Sequence, residues 1–454
     1  MFIGREKELE QLEIELNKKS KSAILIYGKR RIGKSTLITE ALKSFDGIVI
    51  NHLCVQSTFE GNMELLYKSV SRALELPNVK FESIFDLFDY LGNQRKRIAL
   101  VLDEYPYLKE SKKRKEVDSY MQRIIDNLSS NIKLILCGSY ISVMKELVEE
   151  DNPLFGRFSQ ILAIKEFDYY DASKFYPKLD VRSKIERYAV FGGSPYILSN
   201  LEPGASLKNC IIENLLPETS IFHTYIESIA LQEIRKNYDV RILEKIGNGR
   251  KKYSELISAL DIADNGYLDK QLKSLLAMET IKKEFPINKP NDKKKQFYSI
   301  SDNLMRFYFT FLFGGKSVIT SIGEENYYKQ EIHPYLTDFI SLRFEEIARQ
   351  YFMRQAKLGK IKNIEDIGTY WYDDQQNKKS GQFDCVLKSK DGFDFYECKY
   401  YEKPMSKDEC EEEALKVKDI IGIPIRKIGF VCSGGFKSSS NKYEFITGED
   451  LFEM

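Results

Sequence analysis

Apolar residues in the first third of the chain form short, nearly continuous runs. Four of these runs are rich in β-branched residues and are separated by amphipathic helical patterns: SAILIYG (22–28), GIVINHLCV (47–55), RIALVLDEY (97–105) and IKLILCGSY (132–140). Strands that are apolar on both faces are typical of a parallel sheet covered by helices on two sides. The pattern therefore predicts a parallel α/β core over residues 1–170.

The pattern then changes twice along the chain. Residues 171–235 favour helices, interrupted by FGGSPYIL (191–198). Within 236–320, three helical periods (ILEKI, YSELISAL and NGYLDKQLKSLLAME) precede two strand-like runs, TIKKEF and KQFYSI. Residues 321–454 contain the helix DFISLRFEEIARQYFMRQA and then strands. We expect a helical segment, a helix–helix–helix–hairpin and a second α/β domain.

Composition narrows the class of protein. The 454 residues are 43% hydrophobic and 30% charged, which indicates a soluble globular chain of several domains. No apolar run is long enough to span a membrane, and the N-terminus has no secretory core, so we expect a cytoplasmic protein without membrane contact. Seven scattered cysteines and three isolated histidines disfavour disulfide and zinc frameworks. With a net charge of +1, any nucleic-acid contact requires local basic patches.

A phosphate-binding motif follows the first apolar run. GKRRIGKST matches G-x-x-x-x-G-K-[ST] and opens the helical pattern STLITEALKSF. Its backbone N–H groups are expected to wrap the phosphates of ATP, Lys34 to reach the β- and γ-phosphates, and Ser35 to bind Mg²⁺. The predicted nucleotide-binding residues are Gly28, Lys29, Arg30, Arg31, Ile32, Gly33, Lys34, Ser35 and Thr36.

Polar residues at the ends of later strands extend this site. Asp103 and Glu104 end a buried strand, so we expect Asp103 to hold Mg²⁺ and Glu104 to polarise the attacking water. Ser139 ends the next apolar strand and either senses the γ-phosphate or only caps the strand. Arg157, in NPLFGRF, either stabilises phosphoryl-transfer charge, in cis or in trans, or forms a structural salt bridge.

Six ordered motifs carry a resemblance: FIGREKELEQL, GKRRIGKST, LVLDEYPYL, CGSYISVM, PLFGRF and FGGSPYIL. Residues 1–235 resemble the archaeal-type P-loop ATPases of the AAA+/STAND group. The resemblance implies that residues 2–6, including Phe2, Ile3, Gly4 and Arg5, lie against the adenine. It also implies that Gly193 and Pro195 belong to a helical lid over the nucleotide.

The helix–helix–helix–hairpin segment has the layout of a winged helix-turn-helix. Lys and Arg outnumber Asp and Glu by 13 to 9 between residues 239 and 300. The runs GRKK (249–252) and KPNDKKK (289–295) are candidates for DNA phosphate contacts. The alternative is a plain packing module, as winged helices also are in this ATPase group.

A second constellation lies near the C-terminus. Glu397 and Lys399 share one face of the strand FDFYECK, and the turn candidate KDGF (390–393) would bring Asp384 close to them. Two carboxylates and an ammonium suit phosphodiester hydrolysis with Mg²⁺ or Mn²⁺. The spacing resembles the PD-(D/E)xK restriction-endonuclease-like fold, although no proline precedes Asp384. The resemblance implies a further metal ligand, Glu345, with Glu346 as its rival.

These observations support one main hypothesis and two alternatives. The main hypothesis is a Mg²⁺-dependent ATPase whose nucleotide state controls a DNA-binding winged helix and a metal-dependent nuclease domain. The first alternative is a nucleotide-gated interaction switch whose nuclease-like domain is inactive, with Lys399 in a buried salt bridge. The second is a helicase loader or remodeller. ATP, ADP and DNA are the expected partners, and a protein partner or a homo-oligomer stays open.

Overall fold

A computed structural model of the chain describes residues 2–77, 79–109, 114–230, 238–247, 249–263, 265–374, 379–418, 420, 422–438 and 440–453. The chain forms two compact units, Met1–Glu166 and Phe167–Met454. The first unit ends slightly before the predicted limit of the α/β core. Residues 171–235, predicted as a lid, belong to the second unit.

The first unit is built on a parallel sheet with the strand order β2-β3-β4-β1-β5. Its strands are β1 (Ser22–Tyr27), β2 (Ile48–Leu53), β3 (Ile98–Asp103), β4 (Ile132–Gly138) and β5 (Gln160–Ala163). The first four confirm the predicted runs, and β4 is buried along its whole length. The short edge strand β5 was not predicted, because four residues carry too little pattern.

Helices cover both faces of this sheet. The side chains of β1 alternate: Ile24 and Ile26 enter the core formed with α1 and α2, whereas Leu25 enters the core formed with α3, α4 and α6. The helices are α1 (Glu6–Asn17), α2 (Lys34–Leu42), α3 (Phe59–Ala73), α4 (Ile84–Gly92), α5 (Pro106–Lys109), α6 (Arg114–Asp126) and α7 (Ile141–Glu146). Because all strands are parallel, the loops after β1, β3 and β4 meet at one edge.

The second unit begins with the predicted helical segment. Asp168, Asp180, Ser206 and Ser220 each cap a helix by accepting a backbone N–H hydrogen bond. The helices are α8 (Tyr169–Ser173), α9 (Val181–Phe191), α10 (Pro195–Asn200), α11 (Leu207–Asn214) and α12 (Ile221–Thr224), which continues as a π-helix over Tyr225–Ala230.

The predicted helix–helix–helix–hairpin follows. It consists of α13 (Arg241–Gly247), α14 (Tyr253–Leu260), α15 (Tyr267–Ala277) and the antiparallel strands β6 (Ile281–Glu284) and β7 (Phe297–Ile300). The order of elements confirms the sequence pattern. A connecting segment contains α16 (Asn303–Phe307), α17 (Lys316–Ile322) and α18 (Glu324–Tyr327), with π-helical stretches at Tyr308–Leu312 and Tyr328–Ile332.

The chain ends in a mixed sheet with the strand order β12-β11-β10-β9-β8. The long helix α19 (His333–Lys357) packs on it, with the ring centroids of Phe352 and Tyr396 4.3 Å apart. Strands β8 (Ile364–Asp374), β9 (Lys379–Ser389) and β10 (Gly392–Lys399) are antiparallel neighbours. Helix α20 (Lys407–Lys418) leads to β11 (Ile425–Cys432) and β12 (Glu444–Thr447), both parallel to β10. Among the described helices, none combines the length and apolar character of a bilayer span.

Candidate functional site

The loop between β1 and α2 has a backbone that its sequence makes possible. Arg31 and Gly33 have φ angles of 61° and 90°, in the left-handed region. A Cβ atom on Gly28 would lie 2.2 Å from the carbonyl oxygen of Ile164, so no larger residue fits beside the end of β5. A loop of this kind that runs into a helix N-terminus presents successive N–H groups to an anion. The geometry suits a phosphate.

Lys34, the first residue of α2, is held inside this loop. Its side chain is buried, and its Nζ donates hydrogen bonds to the carbonyl oxygens of Gly28 (2.8 Å) and Lys29 (2.9 Å). Burial lowers the pKa of the Lys34 ammonium, whereas the carboxylates of Glu104 and Asp103 act in the opposite direction. The ammonium therefore lies where the phosphates of a nucleotide would need a positive charge.

The two predicted acids lie at the same edge of the sheet. Asp103 accepts a hydrogen bond from the Ser35 hydroxyl through Oδ2 (2.9 Å) and one from the Glu104 N–H through Oδ1 (2.9 Å). Glu104 has a left-handed φ of 53°. Its Oε2 accepts hydrogen bonds from the hydroxyl (2.8 Å) and the N–H (3.1 Å) of Ser139. The structure thus brings together Ser35, Asp103, Glu104 and Ser139.

This set of groups fits a magnesium ion. Mg²⁺ prefers oxygen ligands and usually takes only one or two from protein carboxylates, with phosphate and water supplying the others. The Ser35 hydroxyl and the Asp103 carboxylate already meet at 2.9 Å beside the phosphate loop. They are the two protein oxygens that would hold the ion.

Arg30 makes contacts that the sequence analysis did not find. Its Nη2 donates hydrogen bonds to the hydroxyls of Tyr140 (2.8 Å) and Tyr107 (3.1 Å), and the two tyrosine rings meet edge-on at 5.7 Å. Tyr107 follows the acids of β3, and Tyr140 follows Ser139. The three side chains therefore join the phosphate loop to the ends of β3 and β4. The signal was a tyrosine after each polar strand end, in DEYPY and GSY.

Arg157 lies at the other edge of the sheet. Its Nε donates a 2.9 Å hydrogen bond to Asp126, which ends α6. The Asp126 carbonyl accepts a hydrogen bond from Lys21, the residue before β1, at 2.6 Å. Arg157 is thus near the amino ends of the strands, whereas the phosphate loop follows their carboxyl ends. This geometry favours the salt-bridge alternative over a cis role, and a role in trans stays a prediction.

The segment predicted to face the adenine is held close to the phosphate loop. Phe2 packs against the core shared by α1 and α2. Gly4 and Arg5 both have a φ of 67°, and the Arg5 guanidinium donates a hydrogen bond to the Lys165 carbonyl oxygen. Lys165 follows Ile164, which contacts Gly28. The proximity is compatible with the predicted adenine contact of residues 2–5, which stays a prediction.

In the second unit, Gly193 and Pro195 have structural roles of their own. A Cβ atom on Gly193 would lie 2.0 Å from the carbonyl oxygen of Phe167, whose N–H binds the Gly193 carbonyl oxygen at 3.0 Å. Pro195 is the first residue of α10, where a missing N–H costs nothing. Their predicted place in a nucleotide lid stays a prediction.

The C-terminal sheet places Asp384 at a bulge. The pairs Gly368↔Val386 and Tyr370↔Phe383 leave two residues of β9, 384 and 385, opposite one residue of β8. Bulges redirect side chains and are common beside functional sites. Across β10, the last paired residues are Cys385 and Tyr396, so the next position of each strand brings Asp384 level with Glu397. The predicted hairpin is therefore confirmed.

Lys399 is engaged by carboxylates. Its Nζ lies 2.7 Å from Glu397 Oε1 and 3.4 Å from Glu413 Oε1 of α20. Burial raises the pKa of Glu397; Lys399 opposes this rise, while Glu413 and Asp384 add to it. The Asp384 carboxylate accepts a 2.7 Å hydrogen bond from Gln382. No sequence pattern indicated Glu413, because it lies on a helix and not on a strand adjacent to β10.

The structure separates the two candidate acids of α19. Glu346 contacts Lys282 and lies 3.7 Å from Arg306. Burial alone would raise the pKa of Glu346, but these cations outweigh it and lower the pKa to about 2. Glu345 instead faces Asp384 and Glu397, and these three carboxylates form an acidic group. Burial, followed by repulsion from Asp384, raises the Glu345 pKa to about 8. Both acids line one cavity with Asp384, but Asp384 and Glu397 act on the charge of Glu345, whereas cations surround Glu346.

These carboxylates are close enough to affect one another but do not form a ready-made metal site. Throughout the described ranges, no three His, Cys, Asp or Glu side chains are grouped so that they could hold a metal ion. Oxygen donors such as those of Glu345 and Asp384 are chemically suited to Mg²⁺ or Mn²⁺. Their side chains would have to converge to bind one.

The predicted DNA-contacting segment carries little positive charge on α15 and more on its basic turn. The exposed face of α15 carries Tyr267, Lys270, and a 2.7 Å ion pair between Asp269 and Lys273, so its positive charge is small. The basic turn 249–252 contributes Arg250 and Lys251 to the wall of a cavity that also contains Glu345 and Asp384. The turn is thus close to the acidic group, not isolated from it.

Comparison with known proteins assigns the first part of the chain. Residues 2–201 match a family described as an ATPase domain predominantly from Archaea, and residues 308–413 match a family of archaeal and bacterial proteins of unknown function. A Methanocaldococcus jannaschii protein, described only as uncharacterized, is 28% identical over 378 residues, 82% of each chain. An uncharacterized ATP-binding protein of Pyrococcus horikoshii is 24% identical over 171 residues, 37% of this chain and 51% of that protein.

A solved structure has a similar fold. The Walker-type ATPase of Pyrococcus abyssi aligns with a TM-score of 0.50 and 20% identity over 68% of this chain and 96% of that chain. At this identity the likeness shows the fold. Apart from Met1, the first unit lies within residues 2–201, the stretch that matches the ATPase domain family.

The two candidate sites differ in how far local sequence patterns indicate them. The candidate nucleotide residues of the first unit come from a contiguous motif and from the ends of strands that are easy to locate. The acids of the second unit lie in a segment matched only to a family of unknown function. Their role must be argued from their geometry.

Proposed function

We propose that this chain is a Mg²⁺-dependent ATPase whose nucleotide state controls a second unit that acts on DNA. The observation that carries hydrolysis is the position of Glu104. Its carboxylate follows the acid bound to Ser35 and is fixed by two hydrogen bonds from Ser139. A carboxylate fixed beside the metal ligands suits a group that orients the attacking water.

Each residue then has a defined task. The amides of residues 28–36 and the Lys34 ammonium bind the phosphates, and Ser35 and Asp103 hold the metal. When bound, Mg²⁺ neutralises charge on the phosphate oxygens. Glu104 orients water for attack, and Ser139 keeps that carboxylate at the strand end. Arg30, held by two tyrosine hydroxyls, positions the loop.

Two variants and a control test ATP hydrolysis. Lys34→Ala is expected to abolish both ATP binding and hydrolysis. Glu104→Gln should keep ATP binding and lower kcat by about 10²–10⁴-fold, the usual contribution of a general base. Lys43→Ala, on the same helix but exposed, should change neither. Normal hydrolysis by Lys34→Ala would refute the assignment of the phosphate site.

For the second unit, we propose metal-dependent phosphodiester hydrolysis on DNA. The support is the combination of Glu345, Asp384, Glu397 and Lys399 at adjacent strand and helix positions. The helix–helix–helix–hairpin segment would act as a winged helix that holds the DNA. Plasmid and linear DNA incubated with Mg²⁺ or Mn²⁺, with and without ATP, should be cut by the wild type and not by Lys399→Ala.

One observation favours a second candidate, a nucleotide-gated interaction switch with an inactive C-terminal unit. Lys399 is already paired with Glu397 and Glu413, and such a cluster is also stable as a structural ion pair. No cleavage under any metal condition, together with ATP-dependent retention of DNA or of a protein partner, would support the switch.

A further inference from the structure

A cavity of about 730 Å³ in the second unit joins the basic turn to the acidic group. Its lining includes Arg250 and Lys251 of the basic turn together with Arg343, Glu345 and Asp384. The volume lies within the range of about 300–1,000 Å³ that is typical of ligand sites. Aromatic residues of the connecting segment and α19, Phe311 and Phe339, also form its wall. The cavity therefore combines cations, carboxylates and rings.

Arg343 is a cation of this wall whose hydrogen-bonding capacity is not satisfied. Its Nε and Nη1 atoms are buried and have no hydrogen-bond partner within the described residues. Its guanidinium carbon lies 5.5 Å from the centroid of the Phe339 ring. Buried donors without partners are rare, because leaving them unsatisfied costs free energy. A guanidinium in this condition suits an anion with several acceptor oxygens.

The other arginines of the wall are engaged differently. Arg306 is 7% exposed; its Nη2 binds the carbonyl oxygen of Ile300, and its Nη1 lies 3.7 Å from Glu346, which leaves Nε without a partner. Arg349 donates a hydrogen bond to the Asp384 carbonyl oxygen. These two cations therefore balance the protein's own acceptors, whereas Arg343 does not.

The basic turn is fixed in place by its backbone. Lys251 exchanges two backbone hydrogen bonds with Tyr298 of β7, at 3.0 and 2.8 Å. The Arg250 guanidinium lies 4.8 Å from the Phe297 ring centroid. Arg250 lines the same cavity as Glu345. The turn thus presents two positive charges to the acidic side of the cavity.

We propose that this cavity binds the phosphodiester backbone of a nucleic-acid strand, with Arg343, Arg250 and Lys251 on the phosphates next to Glu345 and Asp384. The inference rests on the proposed function of the second unit and adds the residues that hold its substrate. It makes the basic turn and the acidic group two halves of one site. The cations attract a phosphate that the carboxylates alone would repel.

Binding can be measured separately from cleavage. The full-length chain carrying Asp384→Asn, which prevents cutting, is titrated into fluorescently labelled single-stranded DNA, single-stranded RNA and duplex DNA over a series of salt concentrations. In this background, Arg343→Ala should weaken binding by about tenfold or more and reduce the salt slope by about one, as expected for one lost phosphate contact. Arg343→Lys should keep the slope because it keeps the charge. The tightest-bound strand identifies the source of the phosphodiester.

Lys357→Ala is the matched control, since Lys357 is an exposed cation at the end of the same helix and lies outside the cavity. It should leave affinity and slope unchanged. The inference is overturned if Arg343→Ala binds like this control, if it loses affinity without a change in slope and also unfolds at a lower temperature, or if the Asp384→Asn chain binds no strand. Arg343-dependent binding without cleavage by the wild type would support the inference and refute the nuclease.

Discussion

A buried ion pair in the ATPase domain allows a quantitative test of how Glu104 is held. Lys109 Nζ lies 2.7 Å from Asp118 Oδ2, and the two side chains are 2% and 6% exposed. Asp118 also accepts hydrogen bonds from Asn152 (3.1 Å) and from the hydroxyl of Tyr105 (3.5 Å), the residue after Glu104. This network therefore anchors the loop that carries the proposed catalytic carboxylate.

The perturbation is to remove each charge singly and then both. Asp118→Leu leaves the Lys109 ammonium buried without its carboxylate, and Lys109→Met leaves the Asp118 carboxylate buried without its cation; each is expected to cost about 3–5 kcal/mol. The double variant removes both charges. Its main losses are the hydrogen bonds that Asn152 and the Tyr105 hydroxyl donate to Asp118, so it should cost only about 1–3 kcal/mol. The coupling free energy between the two sites is then at least about 3 kcal/mol.

The assay has to report on the first unit. The single tryptophan, Trp371, lies in the second unit, so its fluorescence is unsuitable. Hydrogen exchange of peptides from β3 and β4, followed against urea, gives the free energy of unfolding of the ATPase sheet. ATP hydrolysis should fall in the single variants while ATP binding by the phosphate loop is retained.

An exposed pair provides the control. Lys43 and Glu40 are 2.6 Å apart, but their side chains are 65% and 29% exposed, so their coupling should stay below about 1 kcal/mol. If the losses at Lys109 and Asp118 are additive, or no larger than those of the control pair, the reasoning about the buried pair is refuted.

Three further predictions concern the ATPase domain. His52 is 3% exposed, and burial lowers its pKa from 6.5 to about 4, so the stability that it contributes above pH 6.5 is lost toward pH 4. Relative to His52→Gln, the free energy of unfolding should therefore fall by about 2 kcal/mol between pH 8 and pH 5. A difference between the two proteins that does not change with pH would contradict this. Gly28→Ala should destabilise the domain by about 1–3 kcal/mol and abolish ATP binding. A Cβ atom added at Gly204 would meet no atom within 4 Å, so Gly204→Ala should leave thermal stability and ATP binding unchanged. Arg30→Met should lower the rate of ATP hydrolysis, and Tyr140→Phe should lower it less because Tyr107 still holds the guanidinium; equal rates in both variants and the wild type would exclude this positioning role.

The sequence was most informative where function depends on local spacing. The phosphate loop, the acids at 103 and 104, and the order of strands and helices all follow from patterns within a few residues. The C-terminal hairpin was also predictable, because its turn and its alternating strands are adjacent. In each case the side chains that meet are close along the chain or end neighbouring parallel strands.

Other features depend on contacts that no local pattern encodes. Arg157 looks like a free cation in the sequence, but its partner Asp126 is brought to it by the packing of α6. The bulge at residues 384 and 385 arises from the pairing of β8 with β9. Glu345 and Glu346 are adjacent, and both were candidates in the sequence for the additional metal ligand. The positions of Lys282, on strand β6, and of Arg306 separate them.

The two acidic sites differ in how their charges are balanced. In the ATPase domain, both oxygens of Asp103 accept hydrogen bonds, and Ser139 donates two to Glu104, so neutral donors keep the carboxylates in place. At the C-terminal site, burial and repulsion between carboxylates raise the pKa of Glu345 and of Glu397; Arg349 and Arg250 offset part of the rise at Glu345, and Lys399 offsets part of it at Glu397. The first arrangement is stable before its ligand arrives. The C-terminal site has more carboxylates than nearby hydrogen-bond donors. A bound metal ion, together with a phosphate on Arg343, would balance the charges that line the cavity.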